Sequence, residues 1–273
     1  MRRMPRYQRR EYVNSTERRR RLLIAADLVT VSTGYLARCV EELGRRSVVI
    51  PNSINTEQQR VAAETMATRR RHDGLRIAYL SGSATHQRDF AECERALLAV
   101  MDRHDDVRFR LVGYLDLGPG WQRYGSRVEH INLLSPADML RCLGEVDINL
   151  APLERGNPFC EGKSELKFFE AALVGVPTVA SATETFVAAI EDGVTGLVVR
   201  SDDEWECALE LLITDASRRC AVGNAARAKA LTQYGLAAIG KRAVAALGLL
   251  PPPPEAADGA GPQRWAPPSI PSA

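Results

Sequence analysis

Residues 163–181 read Lys163-Ser164-Glu165-Leu166-Lys167-Phe168-Phe169-Glu170-Ala171-Ala172-Leu173-Val174-Gly175-Val176-Pro177-Thr178-Val179-Ala180-Ser181. Ser164 is a good N-cap, which predicts a helix beginning near Glu165. Leu166, Phe169 and Leu173 mark its apolar face. Gly175-Val176-Pro177 then ends the helix, and Thr178–Ala180 reads as a buried strand. Lys163, Lys167 and Glu170 are four and three positions apart, so this reading aligns them on one face of the helix. Two lysines at a helix start oppose its dipole unless an anion binds there. A solvated lysine pair is the ordinary alternative, but a polar stripe leading into a buried strand favours a ligand site.

Outward from this stretch, short β-branched runs alternate with longer amphipathic ones, the pattern of a parallel sheet covered by helices. Strands are predicted at Arg76–Leu80, Val107–Val112, Val128–Leu133, Asp147–Leu150, Thr178–Ala180 and Gly196–Val199. Helices are predicted over 88–103, 136–145, 163–174 and 183–191, with one helical stretch from 202 to about 247. This spacing implies right-handed crossovers and a doubly wound sheet, whose ligands sit beyond the carboxyl ends of the strands. The loop after the first of these strands is Ser81-Gly82-Ser83-Ala84-Thr85-His86-Gln87-Arg88-Asp89. Gly82 and Ser83 let backbone amides approach an anion at the next helix start. His86 and Arg88 add side chains that could meet a phosphate. The loop matches neither GxxxxGK[ST] nor GxGxxG, and an ordinary strand-to-helix turn is the plainer reading.

The 273 residues carry a net charge of +2, concentrated at the amino end. Residues 1–21 hold nine arginines against Glu11 and Glu17, predicting a basic arm, disordered or helical, suited to peripheral membrane association. Overall charge gives no reason to invoke nucleic acid; such a reading would rest only on residues 1–21 and 69–71. Residues 251–273 hold eight of the fifteen prolines and are expected to be a disordered tail. No apolar run reaches a membrane span. Six cysteines without CxxC spacing argue against a disulfide framework or zinc site and for a cytoplasmic setting. A smaller strand–helix–strand unit is predicted in 22–54, a linker helix in 55–71 and the main domain in 72–250.

Glu170–Ser181 resembles the "EAxAxGxPVVAS" signature of GT-B glycosyltransferases of the group 1, family 4-like type. Further segments carry the same resemblance in the same order. Arg76–Ser83 is similar to the family's first strand and glycine loop, Val107–Gly113 to its "VxLxIVG" strand, Ile148–Pro152 to "ADVxLxPS", and Glu191–Val199 to "IxDGxTGLLV". Asp27–Asn55 is similar to the end of the family's first domain, including "VPNxID" at Ile50–Asn55. The resemblance implies an α/β fold, the Rossmann-like donor-binding half of a GT-B enzyme with a remnant of a second Rossmann-like domain. It implies a bacterial enzyme that transfers a sugar from a nucleotide-sugar to an acceptor not identified, whether glycan, lipid-linked glycan or small molecule. Glu170, the last Glu of E-x7-E, would hold the ribose diol; Arg88 and the amides before Glu170 would meet the diphosphate. The sequence departs from the pattern at Gly162, where the first Glu should fall, with Glu161 one position off. The Lys163-Ser164-x-x-Lys167-x-x-Glu170 variant implies lysines that bind phosphate.

Donor-binding residues are therefore expected at Gly82, Ser83, His86, Arg88, Lys163, Ser164, Lys167 and Glu170. The catalytic base is expected in the part of the first domain that this reading finds missing. Without a DxD motif no obligatory metal or other cofactor is indicated, although Mg²⁺ could accompany the diphosphate. The alternative is a non-catalytic nucleotide-sugar-binding or partner-docking module.

Overall fold

The computed structural model describes residues 6–69, 73–82 and 86–248. The chain starts with α1 (Arg6–Ala25), β1 (Val29–Val31), α2 (Gly34–Glu42), β2 (Ser47–Val49) and α3 (Thr56–Ala67). Thr33 caps α2, its side chain accepting from the amide of Leu36 at 3.2 Å. β1 and β2 form a small parallel sheet of their own, with Val29 opposite Ser47.

The larger unit follows as β3 (Leu75–Ser81), α4 (Gln87–Arg103), β4 (Val107–Gly113), β5 (Val128–Ile131), α5 (Pro136–Gly144) and β6 (Ile148–Ala151). It continues with α6 (Pro158–Glu161), α7 (Leu166–Leu173), β7 (Thr178–Ser181), α8 (Glu184–Ala189) and β8 (Leu197–Val199). Helices α9 (Asp202–Thr214), α10 (Ala216–Gln233) and α11 (Leu236–Ala246) are the last elements of the described residues. All six strands are parallel, in the order β5-β4-β3-β6-β7-β8. The chain thus winds outward from β3 in one direction, returns to β6 and winds outward in the other, as a Rossmann-like sheet does. The expected fold class is borne out.

Alternation along β3 divides the core. Ile77 and Tyr79 pack with Phe90, Phe109, Leu111 and Trp205 on one face, between the sheet and α4 and α9. Ala78 and Leu80 pack with Val112, Phe168, Phe169 and Leu173 on the other, under α5 and α7. Each large side chain buried there stabilises the fold by roughly 1.5–3 kcal/mol relative to exposure.

Several boundaries differ from the sequence reading. The stretch 202–247 is three helices, because Asp215 ends α9 and caps α10, accepting from the amide of Arg218 at 2.8 Å, while Gly235 precedes α11. β5 stops at Ile131 rather than Leu133. α3, read as a linker, buries Val61, Ala62 and Thr65 in the main core against α5. α1 runs without a break from the basic arm to Ala25, with Arg18–Arg21 exposed and Leu22 67% exposed. The connection after β2 is sewn to the carboxyl-terminal helices, since the amide of the fully buried Ile54 donates to the Tyr234 carbonyl at 2.7 Å. The tail 251–273 and residues 70–72 lie outside the described residues. Among the described residues, no helix is long and apolar enough to cross a membrane.

Candidate functional site

The winding direction reverses between β3 and β6, so the loops leaving these strands diverge and open a crevice at their carboxyl ends. A cavity of about 130 Å³ lies there, walled by Leu80, Val112, Leu133, Leu134, Met139 and Leu143. Its polar groups are Ser81, Gly82, Asn149, Lys167 and Glu170. A Cβ added at Gly82 would meet nothing within 4 Å, so glycine leaves this rim open to close approach. Ser83 lies outside the described residues.

Lys167 and Glu170 stand one turn apart on α7. The Asn149 side chain fixes the start of that helix, donating to the Lys167 carbonyl at 3.0 Å and to Thr178 Oγ1 at 3.1 Å. Lys167 Nζ donates to the Leu80 carbonyl and lies 4.9 Å from the centre of the Tyr79 ring. Burial pushes its amine down to about 8; Glu170 opposes that shift and Lys163 adds to it. Burial likewise pushes the Glu170 carboxyl up to about 7, against the pull of Lys167. A carboxylate and an ammonium, both short of solvation in one cavity, are unfavourable for the fold alone and suited to a polar ligand.

Lys163 is not on this helix face. α7 begins at Leu166, with Glu165 at the cap position making no side-chain cap bond, so the helical spacing does not extend back to Lys163. Its Nζ instead donates to Asp89 Oδ2 at 2.7 Å and lies 5.2 Å from the centre of the Phe159 ring. His86 Nδ1 meets the same Asp89 oxygen at 2.7 Å. Ser164 is not the N-cap either: its hydroxyl accepts from Asn52 Nδ2 at 2.8 Å, joining the connection after β2 to the start of α7. Leu166, assigned to the apolar face, is exposed. Arg88 projects into solvent, its side chain 80% exposed and its guanidinium 3.5 Å from Glu154. The structure thus brings Gly82, Lys167 and Glu170 into one cavity and joins His86 to Lys163 through Asp89. His86, Arg88, Lys163 and Ser164 all fall outside the lining of that cavity.

Neither residue near the missing first Glu supplies a carboxylate to the cavity. Glu161 accepts from the amide of Glu184 at 3.1 Å, and a Cβ at Gly162 would lie 3.2 Å from Leu36 of α2. Among the described residues lining the cavity, Glu170 is the one carboxylate. A larger open cleft of about 640 Å³ lies at the opposite ends of β3, β4 and β5, lined by Arg76, Arg108, Arg110 and Arg127. Three of these arginines are already engaged, Arg110 by Glu129 and Glu145, Arg76 by Glu145 at 3.9 Å, and Arg127 by the carbonyls of Met101 and His104. Among the described residues, no three of His, Cys, Asp and Glu are grouped to hold a metal ion.

The family model described as "Glycosyl transferase-like" matches residues 88–244, from the start of α4 into α11. The chain belongs to the glycosyl transferase-like family. A phosphatidyl-myo-inositol mannosyltransferase of Mycobacterium leprae is 29% identical over 201 residues, covering 71% of this chain and 51% of that protein. The chain therefore spans about half the length of this glycosyltransferase relative. HepE of Anabaena, solved in complex with UDP-glucose, superposes with a TM-score of 0.61 at 17% identity, over 82% of this chain and 64% of HepE. Sucrose-phosphate synthase of Thermosynechococcus elongatus gives a TM-score of 0.61 at 17% identity, over 82% of this chain and 58% of that one. Both are likenesses of fold. The expectation of a GT-B glycosyltransferase of group 1 type is borne out for family and fold.

Proposed function

We propose that the crevice binds a nucleotide-sugar and that the protein transfers its sugar to an acceptor. The observation that carries this reading is the pairing of Lys167 and Glu170 in one cavity, facing the open Gly82 rim at the switch point between β3 and β6. In this reading Glu170 accepts from both ribose hydroxyls, which a carboxylate can do at once. The apolar wall of Val112, Leu133 and Met139 receives the base. Lys167 and the first amides of α7 meet the diphosphate, with Lys163, His86 and Arg88 at the rim. These donors stabilise the charge that develops on the departing diphosphate, which is where such a transfer needs help. Mg²⁺ would travel with the diphosphate. The mannosyltransferase relative and the UDP-glucose complex of HepE support a nucleotide-sugar donor.

Titration calorimetry with UDP, GDP, ADP, CDP and dTDP, each beside its nucleoside, tests the reading. At least one diphosphate should bind, and Lys167→Met should remove a charge-assisted contact of about 1.5–3 kcal/mol. That corresponds to roughly 10- to 150-fold weaker diphosphate binding. The nucleoside, lacking phosphates, should change far less. Equal losses for nucleoside and diphosphate would move Lys167 out of the phosphate site.

A further inference from the structure

Asp89 is a buried carboxylate in the first turn of α4, 3% exposed, between the exposed Arg88 and the fully buried Phe90. Its two oxygens accept from four donors. Oδ2 takes His86 Nδ1 and Lys163 Nζ, each at 2.7 Å; Oδ1 takes the amide of Glu154 at 3.0 Å and the Cys160 thiol at 3.2 Å. Burial works to raise this carboxyl, but the four donors outweigh it and hold it well below the usual carboxylate range. An ionised carboxylate has no proton to give, so the proton of the His86–Asp89 bond is on Nδ1. That leaves Nε2 as the ring nitrogen outside this bond.

The donors come from the three segments that border the crevice: the loop before α4, the loop and short helix after β6, and the connection before α7. An apolar cluster would join these segments without the cost of desolvating an ion pair. A buried carboxylate placed here does something an apolar cluster would not: it holds the Lys163 amine and the His86 ring at fixed positions between the loops that leave β3 and β6. Resting on the nucleotide-sugar reading, we infer that Asp89 is the positioning residue of the diphosphate site, holding Lys163 and His86 in place for the phosphates. Asp89 itself touches no ligand; it acts through those two side chains.

The test uses the same diphosphates and nucleosides on the full chain. Asp89→Asn, which keeps the shape and removes the charge, should weaken diphosphate binding by about 10- to 100-fold. The matching nucleoside should change by less than about threefold. In a Lys163→Met background the same substitution should cost the diphosphate no more than about threefold, the share that passes through His86. Should Asp89→Asn not fold, Asp89→Glu keeps the charge but moves the carboxylate outward by one methylene, and the same pattern is expected. Equal losses for nucleoside and diphosphate would overturn the inference, as would effects of Asp89 and Lys163 that simply add. Tighter diphosphate binding by Asp89→Asn would also overturn it, because Asp89 would then compete with the ligand for Lys163. A wild-type protein that binds none of the diphosphates overturns the nucleotide reading and this inference together. Binding that Asp89→Asn leaves untouched overturns the inference alone.

Discussion

Glu170→Gln is expected to make the protein more stable above pH 7 and a poorer binder at the same time. The stability half follows from the carboxyl being pushed from an ordinary 4.5 up to about 7 by burial. Between these values the folded state holds more protons at this position than the unfolded state does. Wild-type stability therefore falls as pH rises through that window, and the loss is complete above pH 7. Gln has no charge to bury. The two proteins should be nearly equal at pH 4.5 and diverge by about 1–3 kcal/mol in favour of Gln at pH 8. The figure is held below the full shift because Glu170 is half-buried and its charge is shared with Lys167. Urea denaturation of both proteins across this range would read the divergence directly; a difference independent of pH would mean that the carboxylate is not under strain.

The binding half separates a ligand-gripping carboxylate from one that only pairs with Lys167. Gln replaces one acceptor oxygen with a donor NH₂, so a ribonucleoside diphosphate should bind about 1.5–3 kcal/mol more weakly. A 2′,3′-dideoxy analogue offers no hydroxyls and should bind both proteins about equally. Two ligands and two proteins close a double-difference cycle. A side chain engaged only with Lys167 is worth a few tenths of a kcal/mol, so a coupling near zero would remove Glu170 from the site. The proposed function would then rest on family and fold alone. Stabilisation combined with lost affinity is the signature of a group kept for binding at the expense of the fold.

How much of this was legible in the sequence depended on how local the cause was. The six strands could be read because β-branched runs and the strand–helix rhythm are properties of neighbouring residues. Lys167 and Glu170 could be paired for the same reason, since both lie within α7. Lys163 could not be placed, because three residues of non-helical connection take it off the helical period and its partner Asp89 is 74 residues away. Ser164 had the right chemistry for a cap, yet its hydroxyl is taken by Asn52, 112 residues earlier. Asp89 stood in the quoted loop without being singled out, because one acid in the first turn of a helix usually serves only the dipole. Its His86 partner three residues before was the local hint; the donors from Glu154, Cys160 and Lys163 exist only in the folded chain. The break at Asp215 was readable, since an Asp between two helical patterns is a cap signal.

Gly113→Ala is expected to be the most damaging single change near the crevice. Gly113 ends β4 opposite Ser81, the last residue of β3, with φ at +92°, in the region that side chains rarely adopt. A Cβ there would lie 1.9 Å from the Ser81 carbonyl oxygen and 3.5 Å from Leu133. The Ser81 carbonyl cannot yield easily, because it also accepts from the amide of Tyr114 at 3.2 Å, while Ser81 Oγ donates to the Tyr114 carbonyl at 2.5 Å. The Gly113 carbonyl is in turn hydrogen-bonded at 2.8 Å by the His130 ring. Backbone strain and overpacking together should cost about 3–5 kcal/mol. The damage falls on Ser81, Leu133 and Val112, all of which line the cavity, so diphosphate binding should fail even where the variant remains folded. Gly82→Ala is the control one residue past Ser81. Its added methyl meets nothing within 4 Å, so stability should change by no more than about 0.5 kcal/mol. Its methyl nevertheless stands where a phosphate would approach the backbone, so affinity should fall while the urea midpoint stays put. A Gly113→Ala protein within about 1 kcal/mol of wild type would show that β3 and β4 can part at the crevice. A Gly82→Ala protein with undiminished affinity would place the diphosphate away from this rim.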